Sequence, residues 1–447
     1  MSGEQSPRVP EGFLWGAATA SYQIEGHPLA DGAGPSIWHR FSHLPGKVNN
    51  GDNGDLACDH YHRWREDLEQ MSRLGLKAYR FSVAWPRIFP EPGRLNPQGL
   101  DFYRALVDGL LERGIEPLLT IFHWDAPLWL EQEGGFLRRS SVERFCAYGS
   151  ALFKALGDRV KRWITINEPM SFAVSGYVLG QHAPGRRNDL KAMFHASHHL
   201  LLAHGRLARI FREEVRGGEI GIAEHQVWVQ PARPEKEGDL RVAETMDLLL
   251  NRFYLDPLLR GAYPEKILRR FGRFLPRGFE ADLGEMVSSL DFVGLNYYTG
   301  KSYRHSLFAP YTQARETPTP QARRSAMWEV WPQGLRLLLL RLKEEYGNPP
   351  CYITENGYPL PETPGRDPLE DGERIEYLSE HIRAALQARQ EGANLKGYFV
   401  WSLLDNFEWD LGYAMRFGLL RVDFGSLERT WRRSASWYRD LIQRGCP

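Results

Sequence analysis

The chain has 447 residues, 42% of them hydrophobic, and its 56 acidic and 56 basic residues cancel. Without a net field, nucleic acid, an anionic membrane surface and acidic polymers are poor partners, and a neutral small molecule fits better. The 14 tryptophans are numerous enough to suggest stacking surfaces as well as core packing.

In chain order, Met1 to Pro10 is polar and lacks the apolar stretch of a signal peptide. The leucine-rich run from Leu335 to Leu342 is interrupted by Arg336 and Arg341, too short and too charged to span a bilayer, so a cytoplasmic protein with no membrane contact is expected. Cys58, Cys146, Cys351 and Cys446 show no CxxC spacing and read as reduced thiols. Residues 13–20 form a first strand, and Gln23 follows as the first polar group at a strand end. A Gly/Asp/Asn-rich loop covers about 26–55. Its Gly32-Ala33-Gly34 lacks the third glycine of a dinucleotide cradle.

Helical spacing from Asp59 to Leu74 leads into strand two, Lys77 to Trp85, which carries Arg80. A buried arginine needs an anionic partner, so Arg80 is either a neighbour of a functional carboxylate or half of a structural ion pair. After a helix around Leu100 to Arg113, strand three runs from Glu116 to His123 and ends in the polar cluster His123-Trp124-Asp125. A helix from Ser141 to Leu156 precedes strand four, Trp163-Ile164-Thr165-Ile166-Asn167-Glu168-Pro169. Proline cannot donate to the ladder, so this strand stops with Asn167 and Glu168 at its tip.

The helix from Phe194 to Phe211 holds His195, His198, His199 and His204, but neither an HExxH order nor an acidic third ligand accompanies them. They read as packing and surface histidines. Strand five is Glu219 to Gln226, strand six Phe292 to Thr299 with Asn296-Tyr297-Tyr298, strand seven Cys351 to Gly357 with Glu355, and strand eight Leu395 to Trp401. Eight apolar strands alternating with helices, without a repeat or a low-complexity linker, predict an α/β fold: one (β/α)8 TIM barrel over 1–447 with enlarged loops at 26–55, 300–330 and 358–372. A doubly wound sheet would carry a phosphate fingerprint, which is missing. In such a barrel the strand C-termini share one pocket, so Glu168 and Glu355, each otherwise a solvated turn residue, form the carboxylate pair that glycoside hydrolysis requires.

With these residues assembled, the chain resembles glycoside hydrolase family 1 from Phe13 to about Asp440. Phe13-Leu-Trp-Gly-Ala-Ala-Thr-Ala-Ser-Tyr-Gln-Ile-Glu-Gly26 resembles the family's N-terminal signature, Thr165-Ile-Asn-Glu-Pro169 its acid/base motif and Ile353-Thr-Glu-Asn-Gly357 its nucleophile motif. The resemblance implies a retaining exo-β-glycosidase for small β-glycosides or short oligosaccharides, with no cofactor and no metal in the site. Glu168 would be the acid/base, Glu355 the nucleophile, and Arg80 its support. Gln23, His123, Asn167 and Glu408 would bind hydroxyls, and Trp124, Trp401 and Trp409 would wall the sugar. Asn296 and Tyr298 would support the nucleophile, Trp328 would face the aglycone, and the Trp401–Ser402 peptide would be cis. Phospho-specific relatives have serine, lysine and tyrosine at the positions matching Glu408, Met415 and Phe417, so an unphosphorylated sugar is expected. The repulsion between paired carboxylates predicts that Glu168 is the group with the raised pKa. Tyr358-Pro359 and Arg432-Arg433 depart from the usual pattern.

Overall fold

Eight parallel strands close into a barrel in the computed structural model, which describes residues 9, 12–287, 289–320 and 322–445. They are β1 (Leu14–Ala18), β2 (Ala78–Ser82), β3 (Glu116–Phe122), β4 (Arg162–Asn167), β5 (Glu219–His225), β6 (Phe292–Asn296), β7 (Cys351–Asn356) and β8 (Leu395–Trp401). Each pairs with its sequence neighbour, and β8 returns to β1 with Ala18 opposite Trp401. Covered on both faces, such strands read as continuous apolar runs rather than as alternating ones. Inside, Leu118, Ile164, Phe292, Tyr352 and Phe399 form one cluster with Ala18, Ala78 and Ala223, so the barrel is plugged by side chains.

The outer layer includes α1 (His60–Leu74), α2 (Pro97–Glu112), α3 (Ser140–Leu156) and α4 (Leu190–Glu214). Among the described residues no helix is long and apolar enough to cross a membrane. Cys58, Cys146 and Cys351 are buried and unpaired, while Cys446 lies outside the described residues. The α4 histidines pack as expected: His204 Nδ1 meets the Thr165 hydroxyl at 2.7 Å, His198 sits between Tyr263 and Asp282, and His199 Nδ1 donates to the Phe136 carbonyl. Burial holds His199 near 4 and His204 near 3, which keeps both neutral.

Several expected boundaries move. The first strand ends at Ala18, and Ser21–Ile24 is already helical. Strand two ends at Ser82, because Trp85-Pro86 opens the helix Trp85–Ile88, where proline's missing N–H is harmless. Strands five and six stop at His225 and Asn296. The region 300–330 is not simply a loop: Gly300–His305 and Ala314–Thr317 form a hairpin that joins Trp228–Pro231 in a three-stranded sheet on the rim. These strands are short and carry charges such as Lys301, Arg304 and Arg315, so they lack the apolar run that marks the barrel strands.

Candidate active site

Strand four ends as its proline requires, with Glu168 in the left-handed region (φ 44°) before the short helix Pro169–Ala173. A left-handed glutamate costs about 1–3 kcal/mol, so the surroundings must hold it there. The β4–β5 register shifts between Ile164 and Asn167, and the β6–β7 register between Ile353 and Glu355. Both carboxylates therefore sit at irregularities of the kind that re-aim side chains at barrel rims. Gly357 ends the second motif because a Cβ there would collide with the Trp401 carbonyl.

Arg80, 1% exposed, ties the two tips together. Its Nη1 donates to Glu355 Oε1 at 2.6 Å and to the Thr354 carbonyl at 3.0 Å, its Nη2 to Asn167 Oδ1 at 2.6 Å, and its Nε to the Thr120 hydroxyl at 3.1 Å. Both sequence readings required an anionic partner, and that partner is Glu355. Tyr298 donates from the other side, 2.7 Å from Glu355 Oε2. Asn296 departs from expectation. The Thr354 hydroxyl donates to its Oδ1 at 2.6 Å, which turns its Nδ2 toward Glu168 Oε1 (2.7 Å) and Asn167 Oδ1 (3.0 Å). Asn296 thus supports Glu168, and of the pair only Tyr298 contacts Glu355.

The network also assigns donors and acceptors. Because Asn167 Oδ1 accepts from Arg80 and Asn296, its Nδ2 faces His123 Nε2 at 3.1 Å and donates to it. Burial, and secondarily Arg80, hold His123 well below its ordinary pKa, so the ring is neutral with its proton on Nδ1, an atom without a protein partner. Gln23 donates to Asn406 Oδ1 (3.0 Å) and the Phe407 carbonyl (2.9 Å), which leaves its buried Oε1 unpartnered. Glu408 Oε2 is likewise buried and unpartnered. Buried polar atoms are rarely left so, and these three point to a ligand rich in hydroxyls.

Aromatic rings wall this polar floor. The His123 ring stacks near Trp401 (5.8 Å) and Trp409 (6.1 Å), Trp124 lies 5.0 Å from Trp409, and the Trp124 indole donates to the Asn167 carbonyl at 2.9 Å. Trp328 stands farther out, 5.0 Å from Tyr298 and 5.9 Å from Phe417, beside a groove lined by His225 and Lys301. The Trp401–Ser402 peptide is cis, as expected. The sequence reading missed His225, whose Nδ1 lies 3.6 Å from Glu168 Oε2 and 3.0 Å from the Ser171 hydroxyl. It also missed His182, wedged 5.3 Å from Trp124 and bound to Asp410 at 3.1 Å. Only their positions, His182 after strand four and His225 at the tip of strand five, signalled them. Arg432, read as a loop departure, is buried and grips both oxygens of Asp405 at 2.8 Å, below the loop that carries Glu408.

Burial pushes the carboxyls of both Glu168 and Glu355 up, Glu355 to about 7. At Glu355 the Arg80 guanidinium opposes the rise and the Glu168 charge adds to it; at Glu168 the opposition comes mainly from Ser171 and Asn296. The expectation that Glu168 alone is raised is therefore corrected: both groups are withdrawn from water, and repulsion is the smaller effect. What distinguishes them is contact: Arg80 touches Glu355 at 2.6 Å, whereas the same guanidinium acts on Glu168 only from a distance. Glu408 is pushed up to about 8, by burial first and then by Glu355, Asp410 and Glu168.

The chain has relatives of known family and fold. The profile described as Glycosyl hydrolase family 1 matches residues 5–446. The sequence is 49% identical to beta-glucosidase A of Thermotoga maritima over 98% of each chain, and 48% identical to the 1,4-beta-D-glucan glucohydrolase of Thermotoga neapolitana, again over 98% of each. Among solved structures, the family 1 b-glucosidase from Thermotoga maritima superposes with a TM-score of 0.96 at 48% identity over 99% of each chain. The same enzyme in complex with glucoimidazole gives 0.95 at 48% identity, over 99% of this chain and 100% of that one. Matched along nearly its whole length by sequence and by fold, the chain belongs to glycosyl hydrolase family 1 and is a glycoside hydrolase.

Proposed function

We propose that the protein is a retaining exo-β-glycosidase that removes terminal β-D-glucosyl residues, and β-galactosyl and β-fucosyl residues as well, from small glycosides and short oligosaccharides, the whole chain serving as one catalytic unit. The observation that carries this reading is the continuous hydrogen-bonded path Glu168–Asn296–Asn167–Arg80–Glu355 beneath an aromatic-walled pocket. Relatives with the same fold are named as β-glucosidases and bind glucoimidazole and deoxynojirimycin.

In the first step Glu355, held by Arg80 and Tyr298, attacks the anomeric carbon while Glu168 gives its proton to the departing glycosidic oxygen. The glycosyl-enzyme ester that results is opened by water. Glu168, now a carboxylate, takes the proton of that water as its oxygen bonds to the anomeric carbon, and Glu355 leaves as the anion. Two inversions retain the configuration, the course expected of carboxyls about 5 Å apart. Gln23, His123 and Glu408 bind the sugar hydroxyls. Asn167 donates through Nδ2, and its contact with the 2-hydroxyl strengthens as the ring flattens toward the transition state.

The rate should follow a bell with pH. The acidic limb is protonation of Glu355 and the alkaline limb loss of the Glu168 proton, both displaced above the ordinary carboxylate range of about 4 because burial raises both groups. Arg80→Met withdraws the cation that favours ionised Glu355, so its acidic limb should move to higher pH. A flat profile from mildly acidic to mildly alkaline pH, or a downward shift in Arg80→Met, would refute the assignment.

Substrate choice turns on Glu408, Met415 and Phe417. Met415 packs with Trp401 and Phe417, and Arg416 between them turns away over Phe424 at 4.5 Å. A 6-phosphate would therefore meet a carboxyl and apolar surface with no compensating cation, whereas neutral 4- and 6-hydroxyls find Glu408 Oε2 without a protein partner. On a panel of nitrophenyl β-glycosides, glucoside, galactoside and fucoside should be hydrolysed with kcat/KM at least about 100-fold above that for 6-phosphoglucoside, the ratio for a loss of roughly 3 kcal/mol. The reverse order would overturn the reading.

A further inference from the structure

The rim loop after β1 gathers metal-ligating groups that take no part in the chemistry above. His39 lies on the short helix Ile37–Ser42 and His43 is its C-terminal cap, four residues on and so on the same face. Both imidazoles turn toward one carboxylate: His43 Nε2 is 3.0 Å from Asp55 Oδ2, and His39 Nε2 is 3.8 Å from Asp55 Oδ1.

The hydrogen bonding of His43 fixes which of its nitrogens faces Asp55. Its Nδ1 lies 2.6 Å from the His39 carbonyl oxygen, which can only accept, so Nδ1 carries the proton. In the neutral ring Nε2 then bears a lone pair aimed at a carboxylate oxygen, which also offers only lone pairs. Two acceptors at that separation repel, so either a proton on Nε2 or a metal ion must stand between them. Asp55 Oδ1 is buried without a hydrogen-bond partner, which leaves that oxygen free to take a cation.

We propose that His39, His43 and Asp55 bind one divalent transition-metal ion of the zinc, nickel or cobalt type. Two imidazoles and a carboxylate are the donor set such ions prefer, and bonds of about 2.0–2.1 Å hold neighbouring ligand atoms roughly 3 Å apart. The His43–Asp55 separation already matches, and the longer one closes by rotation of partly exposed side chains. The Nδ1–H bond to the His39 carbonyl is the outer contact that fixes a ligating histidine's tautomer. The ion would tie the helix Ile37–Ser42, whose Trp38 packs 4.5 Å from Trp409, to the segment 52–55, whose Asp52 carboxylate and Asn53 carbonyl accept hydrogen bonds from Tyr413. Both sides of the loop bearing Glu408 and Trp409 are thereby braced. The nearby triad His27, Asp59 and His62 differs, because both its imidazoles lie on the same oxygen, Asp59 Oδ1, at 3.1 and 2.6 Å, as two hydrogen bonds would have them.

The test is calorimetric titration of zinc into the full untagged chain after chelator treatment, at several pH values, with thermal melts of the same samples. One saturable site per chain is expected, tighter as pH rises because the proton competes for the imidazoles, with a Tm increase of a few degrees at zinc about 100 times Kd. His39→Ala/His43→Ala should abolish the site and Asp55→Asn should weaken it at least about 10-fold, the usual scale for a lost ligand contact. His27→Ala/His62→Ala should leave it unchanged. Melts of the metal-free variants establish that they are folded, and Asp55→Asn carries the test should the double variant not fold. No saturable binding by the unaltered chain, or a site that survives His39→Ala/His43→Ala or is unmoved by Asp55→Asn, overturns the proposal.

Discussion

Glu355→Ala is expected to lower kcat on every β-glycoside by about five orders of magnitude, whatever the leaving group. In the proposed mechanism the residue supplies the bond that forms, so no better leaving group substitutes for it. Glu355→Gln keeps an oxygen for Arg80 and should be equally inactive, which separates loss of the nucleophile from loss of the 2.6 Å Arg80 contact. Azide added to Glu355→Ala should restore turnover on an activated substrate with an α-glycosyl azide as product, since a single displacement inverts. A β-azide from this variant would mean that the two carboxylates hold the opposite roles.

The second large effect belongs to Glu168→Ala, and it should depend on the leaving group. Glycosides of poor leaving groups lose proton assistance and should slow by about 10²–10⁴-fold, the usual worth of a general acid. A dinitrophenyl glycoside needs no proton, so its first step should proceed and the glycosyl-enzyme should accumulate as a burst. Azide should then accelerate release with a β-glycosyl azide as product. Equal losses on good and poor leaving groups would remove Glu168 from the acid/base role. Asn296 gives this variant an internal comparison: because its amide donates to Glu168 and not to Glu355, Asn296→Ala should disturb the alkaline limb of the pH profile more than the acidic one.

Much of the fold was legible because a parallel barrel strand is buried on both faces, and burial writes itself locally as an apolar, β-branched run. Trp163-Ile164-Thr165-Ile166 and Cys351-Tyr352-Ile353-Thr354 announce their strands, and Pro169 and Gly357 announce where they stop. The residues just before those stops then had to lie at the C-terminal rim, so the positions of Glu168 and Glu355 there were legible in the sequence. The rim sheet at Gly300–His305 was not, because it is half exposed and its short strands carry the charges of a loop.

What the tertiary structure alone decided are relations between residues on different strands. Whether Asn296 serves Glu168 or Glu355 depends on the Thr354 hydroxyl, which occupies its oxygen and turns its amide across the barrel. Which anionic partner Arg80 finds depends on Glu355 and Asn167 meeting it from β7 and β4. The rise of both carboxyl pKa values, and the approach of His39 and His43 to Asp55, likewise arise only when distant segments converge. Hydrophobic periodicity is a property of neighbours along the chain, whereas hydrogen-bond direction and desolvation are set by neighbours in space, and the closure of the barrel is what makes those neighbours.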